Sequence, residues 1–415
     1  MLPPPNLRHT GAYAAFRCIG SACEDNCCYD WSIPVDRRTY EMYQTCGDEG
    51  LRPQLRKLIT IRPAGGIDQD YARINLVNNQ CPLLHEGLCS VHAGLGESYL
   101  PEACASFPRS AVIIDGVQEN SLFLSCPEAA RLILLDPDRN RIGEYPAEDP
   151  PNRVADYAPV LDSTPYPDFH EVRELVRQLL RATSLPRWRR MVILARFCED
   201  LNAALAGRGG SVAERIRFAR QAMTEEPAPL PEPPAARLEI LLELLVGRLS
   251  TEFTPRPFLE CYREFMAGLD WGPLSTIDDI AVRHSAAGNH FARFEARYPQ
   301  FLDNFLISYA TRTVFPYGHR DTDPRTIQKI RIDYVENAIR EQYLLLAVHY
   351  AAVRTLLIGM AAFHRGGLTA EHAVKLVQSY AKAYLHSGSY ASHAQQILSS
   401  NGIQLATEAT ILFAE

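Results

Sequence analysis

Apolar residues in the C-terminal part of the chain recur with the period of an α-helix. Positions 172, 175, 176, 179 and 180 are apolar and fall on one face of a helix. Phe301, Phe305 and Tyr309 are spaced so that they line one face of another helix. That helix is expected to end before Pro316, because proline disfavours helical geometry in the residue before it. The same period predicts further helices over 188–201, 213–223, 238–249 and 257–266.

A long apolar helix is predicted from about 327 to 363. Gly366 and Gly367 are expected to end it, since glycine readily adopts the left-handed conformation of a helix C-terminus. Thr369 is then a suitable N-cap for the next helix, which is amphipathic and is predicted to run to Leu385.

The apolar stretch 344–363 is long enough to cross a lipid bilayer. It contains His349, Tyr350 and Arg354, however, and an unpaired arginine in lipid is energetically expensive. A buried helix inside a helical bundle is therefore expected, with no membrane insertion.

The N-terminal third of the chain has short and irregular apolar patterns. The alternation over 71–77 predicts a strand. Two segments, 111–114 and 117–124, flank an Asp-Gly pair at 115–116 and predict a β-hairpin, because such a pair suits a turn with positive φ. A helix is predicted to start near Glu128.

These patterns divide the chain into parts of different character. Residues 1–135 are predicted to form a cysteine-rich metal or iron–sulfur domain, and 136–168, rich in proline and aspartate, a linker. Residues 169–415 are predicted to form a helical domain with a proline-rich break at 225–235. The expected fold is predominantly α. A loop-rich, cysteine-rich N-terminal metal-binding segment with a small β-hairpin would pack on a helical body.

Composition and charge restrict the partners and the cellular location that are expected for the protein. The 415 residues are 47% hydrophobic, which is enough for sizeable cores. The formal charge of −7, from 42 basic and 49 acidic residues, provides no general attraction to nucleic acid, so no nucleic-acid partner is expected. The N-terminal segment has no uncharged apolar run of signal-peptide length, which predicts a cytoplasmic location.

Cysteine is the most informative residue type. Nine of the 11 cysteines lie between Cys18 and Cys126, and only Cys198 and Cys261 lie outside. In a reducing compartment such a concentration indicates metal or redox chemistry more than structural disulfides or buried free thiols. Cys46 has no cysteine neighbours and is interpreted as an ordinary thiol. Eight cysteines in glycine- and proline-punctuated loops are the candidate metal ligands: Cys18, Cys23, Cys27, Cys28, Cys81, Cys89, Cys104 and Cys126.

The spacing favours an iron–sulfur cluster, with zinc as the alternative. Zinc ribbons carry paired Cys-x-x-Cys motifs, and this chain has none. The Cys-x₃-Cys-x₂-Cys pattern of radical enzymes is half present, since Cys23 and Cys27 fit but the third position is Asp30. Cys28 is expected to point away from Cys27, so that the two do not ligate one iron.

Two histidines lie beside candidate ligands. His85 and His92 could ligate or support the centre, but histidines in such positions are more often surface or packing residues.

Several segments carry a resemblance to a known family. In the N-terminal part they are Phe16-Arg-Cys-Ile-Gly-Ser-Ala-Cys-Glu-Asp-Asn-Cys-Cys28, Asp30-Trp31, Cys81-Pro-Leu-Leu84, Tyr99-Leu-Pro-Glu-Ala-Cys104, Phe107-Pro-Arg109 and Leu124-Ser-Cys-Pro-Glu-Ala-Ala-Arg131. In the C-terminal part they are 301–309, 314–317 and 377–382 with His386. Together they resemble the flagellin lysine-N-methylase family, and the first half also resembles small cysteine-rich iron- or zinc-chelating proteins. One departure is His92, where the chelating proteins more often carry tyrosine.

The resemblance implies a methyltransferase that modifies lysine side chains of flagellin, with S-adenosylmethionine as donor and a bound [4Fe-4S] cluster. It assigns no catalytic residue and no residue that binds the methyl donor. A glycine-rich nucleotide-binding loop of the usual kind is absent, because the candidates at 93–96 and 359–362 lack the strand–loop–helix context. This suggests the hypothesis that an iron with an open position chelates the methionine moiety of the donor.

Two alternatives remain at this stage. The cluster could serve only to stabilise a loop-rich domain. The whole chain could instead be a non-catalytic iron- or zinc-chelating or redox module, fused to a helical domain that binds a partner.

Overall fold

The fold is described from a computed structural model of the chain. The described residues are 6–29, 33–63, 67–143, 158–225, 236–249, 254–318 and 338–413. Four sequence predictions lie wholly or partly outside them: those on Asp30-Trp31, on the middle of the 136–168 linker, on the proline-rich break, and on the first turns of the 327–363 helix. The described part is predominantly α, which confirms the expected fold class.

The chain separates into two compact units, each discontinuous in sequence. The first is built on Met1–Leu132 and Arg141–Leu161, and the second on Ile133–Asn140, Asp162–Arg320 and Ile332–Glu415. Each unit is described below by itself.

Short strands organise the first unit. They are β1 Asn6–Thr10, β2 Pro34–Val35, β3 Ile59–Ile61, β4 Ala72–Ile74, β5 Leu84–His85, β6 Leu88–Cys89, β7 Arg109–Ile114, β8 Val117–Leu122, β9 Ile142–Gly143 and β10 Val160–Leu161. They form a five-stranded sheet in the order β10-β7-β8-β1-β9, a three-stranded sheet in the order β2-β4-β3, and the β5-β6 pair.

The predicted hairpin is confirmed as β7 and β8. Its turn residues Asp115 and Gly116 both have positive φ, 51° and 79°. The predicted strand at 71–77 is confirmed but is shorter, because only Ala72–Ile74 finds partners on both sides. Strand β1, which pairs in parallel with β8, was not predicted from the sequence.

Short helices complete this unit. They are α1 Gly11–Ala15, α2 Arg37–Thr45, α3 Leu51–Leu58, α4 Ser90–Leu95, α5 Glu102–Ser106 and the start of α6, Pro127–Leu135. Helix α6 confirms the prediction made at Glu128. The cysteine-bearing loops are held between these short elements.

Longer helices make up the second unit. They are α7 Phe169–Arg181, α8 Arg187–Leu205, α9 Val212–Ala222, α10 Ala236–Leu249, α11 Arg256–Gly268, α12 Ile277–Arg297, α13 Phe301–Arg312, α14 Ala338–Phe363, α15 Ala370–Tyr380 and α16 Gly388–Ser400. The predicted helices are confirmed, and Thr369 caps α15 by accepting a hydrogen bond from the His372 backbone N–H. A π-helical turn, Ala381–Leu385, extends α15 to the predicted end.

Helix α14 is the core helix of the second unit. Among the described residues it alone has the length and apolar composition to cross a membrane, and 89% of its most apolar window is buried inside the protein. It packs closely against α11. At the contact, Gly268 of α11 lies against α14, and Gly359 of α14 lies against α11. A Cβ atom on Gly268 would overlap the Gly359 carbonyl, and one on Gly359 would overlap the Phe265 ring. The glycine at 359 therefore serves helix packing.

A charged network is buried in the same unit. Arg190 Nη2 donates to both carboxylate oxygens of Asp303, at 2.9 and 3.0 Å, and Arg190 Nη1 donates to the Leu180 carbonyl. Arg187 donates to Asp303 at 2.6 Å and to Glu295 at 2.7 Å. The network links the start of α8 to α12 and α13.

Candidate metal centre

Backbone pairing brings two of the cysteine loops of the first unit together. The Cys81 N–H donates to the Cys28 carbonyl at 2.8 Å, and Tyr29 and Gln80 form an adjacent antiparallel bridge. The Asn26 side chain accepts from the Cys28 N–H at 2.9 Å and fixes the loop in front of this bridge. Segments far apart in the sequence thus place Cys28 and Cys81 side by side.

The thiols at this junction affect one another's protonation. Cys27 and Cys81 raise the pKa of Cys28, and the neighbouring Cys28 lowers the pKa of Cys81. Cys27 is exposed whereas Cys28 is buried, and the expectation that their side chains point apart stays a prediction.

Two further thiols join this neighbourhood. Cys89 and Cys104 pack against the buried core that contains Cys28 and Cys81. Burial raises the pKa of Cys104 well above its usual value, and Cys27, Cys89 and Cys81 raise it further. Burial also raises the pKa of Cys89, with Cys81 and Cys27 adding to the effect. We call Cys27, Cys28, Cys81, Cys89 and Cys104 the inner thiol group.

Local structure positions the side chains of Cys89 and Cys104. Cys89 ends β6, and its sulfur accepts from the backbone N–H groups of Val91 and His92 in the first turn of α4. Cys104 lies on α5, whose first N–H, that of Glu102, donates to Asp36 at 3.0 Å. Asp36 also caps α2 through the Thr39 N–H at 2.9 Å. Asp36 was not predicted from the sequence, although an aspartate three residues before a threonine at a helix start is a recognisable cap.

The remaining three candidate thiols form a second set, the outer thiol group of Cys18, Cys23 and Cys126. Burial raises the pKa of Cys126 to about 12, and Cys23 and Cys18 add to this. Burial likewise raises the pKa of Cys23, whose thiol donates to the Asp25 carbonyl at 3.1 Å.

An ion pair fastens the loop of the outer thiol group to α6. Arg131 on α6 donates to both carboxylate oxygens of Glu24, at 2.7 and 2.9 Å. Cys126 lies just before that helix, and its sulfur accepts from the N–H groups of Glu128 and Ala129. The loop that carries Cys23 is thereby held beside the start of α6.

Two histidines and three cysteines of the chain lie outside both thiol groups. His85 and His92 are exposed, and the contact of His92 with Cys89 is made by its backbone. Cys46 is buried in the core of the first unit, and Cys198 and Cys261 are buried in the second.

The inner thiol group fits a thiolate-bound centre in its chemistry. Neighbouring thiols contribute to the raised pKa values of Cys28, Cys89 and Cys104, and these three can ionise together only when a positive charge lies among them, which is what a bound metal provides. Within the described ranges, however, no three Cys, His, Asp or Glu side chains are arranged to hold a metal ion. The ligand assignments from the sequence remain predictions.

Comparison with known proteins adds independent information. A family model for the C-terminal domain of FliB lysine N-methylase matches residues 173–412. The flagellar biosynthetic protein FliU of Salmonella muenchen is 35% identical over 130 residues, which cover 31% of this chain and 77% of that protein. The lysine-N-methylases of Salmonella choleraesuis and Salmonella typhimurium are also 35% identical over 130 residues, but the match covers only 32% of each. No solved structure matches the chain.

Proposed function

Because the chain belongs to the family of the FliB lysine N-methylases, enzymes that methylate lysine, we propose that it methylates lysine side chains of flagellin with S-adenosylmethionine as donor. We propose further that a [4Fe-4S] cluster is held by members of the inner thiol group. The flagellar name of one relative supports a flagellar protein as substrate.

The observation that carries the cofactor proposal is the convergence of five thiols from four separate segments. Cys28 and Cys81 are joined by a backbone hydrogen bond and lie in one buried core, on which Cys89 and Cys104 pack. Cys27 is exposed, so one side of the group faces solvent. When bound, a cluster with an open iron position supplies a chelating site for the methionine moiety of the methyl donor.

The lysine substrate sets a second requirement. Methyl transfer needs the neutral amine, because the ammonium group has no lone pair, and an unperturbed lysine has a pKa of about 10.4. The protein must therefore desolvate the amine or accept its proton. No side chain is assigned this task.

The enzyme proposal is tested with flagellin and S-adenosylmethionine labelled in the methyl group. Label is expected on lysine side chains, identified by mass spectrometry of the digested flagellin. Protein that contains its cluster but transfers no label would favour the alternative of a non-catalytic metal or redox module bound to a partner.

The cofactor proposal is tested by anaerobic iron and sulfide analysis of single Cys→Ala variants. Cys81→Ala and Cys104→Ala are expected to lose iron and the brown colour of the protein. Cys126→Ala from the outer thiol group and Cys46→Ala, a buried thiol in the same unit, serve as matched controls and are expected to retain both. Full iron content in Cys81→Ala and Cys104→Ala, or its loss in the controls alone, would contradict the assignment.

A further inference from the structure

Tyr43 presents a polar atom in the core of the first unit. The residue lies on α2 and is 0% exposed. Among the residues that the structure describes, its hydroxyl has no hydrogen-bond partner. Leaving a buried hydroxyl unpaired costs about 1–3 kcal/mol. A phenylalanine would fill the same space without that cost, so the hydroxyl calls for a physical explanation.

Tyr43 shares its core with residues of the inner thiol group. Tyr43 belongs to the same core cluster as Cys28 and Cys81, and Cys89 and Cys104 pack against this cluster. Burial raises the pKa of Tyr43, and the Cys104 and Cys89 thiols are the next largest contributors.

The nearby carboxylate is already engaged. Asp36 also lies near Tyr43, but one of its oxygens accepts from the Thr39 N–H. The other accepts from the Thr39 hydroxyl at 2.9 Å and from the Glu102 N–H at 3.0 Å. A protonated thiol is only a weak acceptor, whereas a thiolate or an inorganic sulfide is a much better one. A thiolate or sulfide that could accept a hydrogen bond from the Tyr43 hydroxyl is therefore created only when the inner thiol group binds a cluster.

We propose that Tyr43 donates its hydroxyl hydrogen to a sulfur atom of the centre held by the inner thiol group. This inference rests on the proposed cluster and adds to it a residue outside the ligand set. Tyr43 is then a positioning residue: it stabilises negative charge on sulfur and does not contact the reacting groups. Hydrogen bonds to sulfur stabilise the more reduced, more negative form of a cluster and so raise its reduction potential.

The test compares Tyr43→Phe with Tyr40→Phe in full-length protein, with and without its iron. Tyr40 lies on the same helix, and its ring contact with Tyr71 does not depend on its hydroxyl, so it is a matched control. In the iron-free protein Tyr43→Phe is expected to be as stable as wild type or more stable, because an unpaired hydroxyl is removed.

In the loaded protein the effect is expected to reverse. The midpoint potential of Tyr43→Phe, followed by visible absorbance in a redox titration, should shift to more negative values. Iron release to a chelator should be about tenfold faster than in wild type, the ratio that corresponds to loss of about 1.4 kcal/mol from a charge-assisted hydrogen bond. Tyr40→Phe should show neither change.

Two outcomes would overturn the inference in distinguishable ways. A fully loaded Tyr43→Phe protein with the potential and release rate of wild type would show that the hydroxyl does not contact the centre, and the proposed cluster would stand. A wild-type protein that holds no iron and sulfide after anaerobic reconstitution would overturn the cluster, and this inference with it.

Discussion

The buried charge network of the second unit allows one stability prediction to be worked through in detail. The side chains of Asp303 and Arg190 are 8% and 4% exposed, and Arg187 is 13% exposed. Asp303→Asn keeps the shape of the side chain but removes its charge. Arg190 then loses its carboxylate partner, and Arg187 retains Glu295 as a carboxylate partner together with the Pro299 carbonyl.

The expected loss is large because both guanidinium groups are largely shielded from water. Removing one partner of a buried ion pair destabilises a protein by about 3–5 kcal/mol. The asparagine oxygen still accepts one hydrogen bond, so we expect the lower end, about 3 kcal/mol. For a unit of this size that corresponds to a decrease in Tm of roughly 6–12 °C.

The measurement is denaturant unfolding followed by far-ultraviolet circular dichroism, which mainly reports the helices of the second unit. Glu171→Gln is the matched control, since its ion pair with Arg220 is exposed (49% and 45%) and is worth less than about 1 kcal/mol. The double variant Arg190→Met/Asp303→Leu should recover part of the loss, because it buries no unpaired charge at this pair. A loss below about 1 kcal/mol in Asp303→Asn would refute the reasoning.

Three further predictions concern other parts of the structure. Gly359→Ala should destabilise the second unit by about 1–3 kcal/mol or more, since the new methyl group overlaps the Phe265 ring. Equal Tm values for the variant and the wild type would contradict the close approach of α11 and α14. Burial lowers the pKa of His349 to about 3, whereas an unfolded histidine has a pKa near 6.5. Between pH 6.5 and 3 the imidazole is therefore protonated in the unfolded state but not in the folded state. Acidification through this range should remove about 1.4 kcal/mol of stability per pH unit. A His349→Gln variant should flatten this part of the stability–pH profile, and an unchanged slope would exclude His349 as its cause. Asp36→Ala should remove the cap of α2 and the anchor of α5, cost about 1–2 kcal/mol and speed iron loss from the loaded protein, an effect that chelator kinetics would detect or exclude.

Local patterns predicted the helices of the second unit well. Those helices bury one continuous apolar face, and that face is visible in the sequence at helical spacing. Helix α12 was missed because only four of its residues are buried, Ile280, Ala287, Phe291 and Phe294, and small or polar residues separate them. The Asp-Gly turn predicted the β7-β8 hairpin, since both strands and their turn are contiguous.

Long-range arrangements could not be predicted in the same way. Strand β1 pairs with β8 across more than a hundred residues, and no local signal indicates a parallel partner. The sequence identified the eight clustered cysteines but could not divide them into inner and outer groups, because that division depends on the bridge between Cys28 and Cys81. Tyr43 was missed because a buried tyrosine beside the thiols has the same sequence signature as a core aromatic.

The strand order of the five-stranded sheet has a consequence for biosynthesis. Every candidate ligand is translated before β9 and β10, yet β9 pairs with β1 and β10 pairs with β7. While the polypeptide emerges from the ribosome, the cysteine loops are therefore available to a metal donor or an oxidant before the sheet beside them can close. Sheet edges left open in this way also invite aggregation. A recombinant fragment meant to represent the first unit should accordingly extend to Leu161, because one that stops at 135 lacks both closing strands.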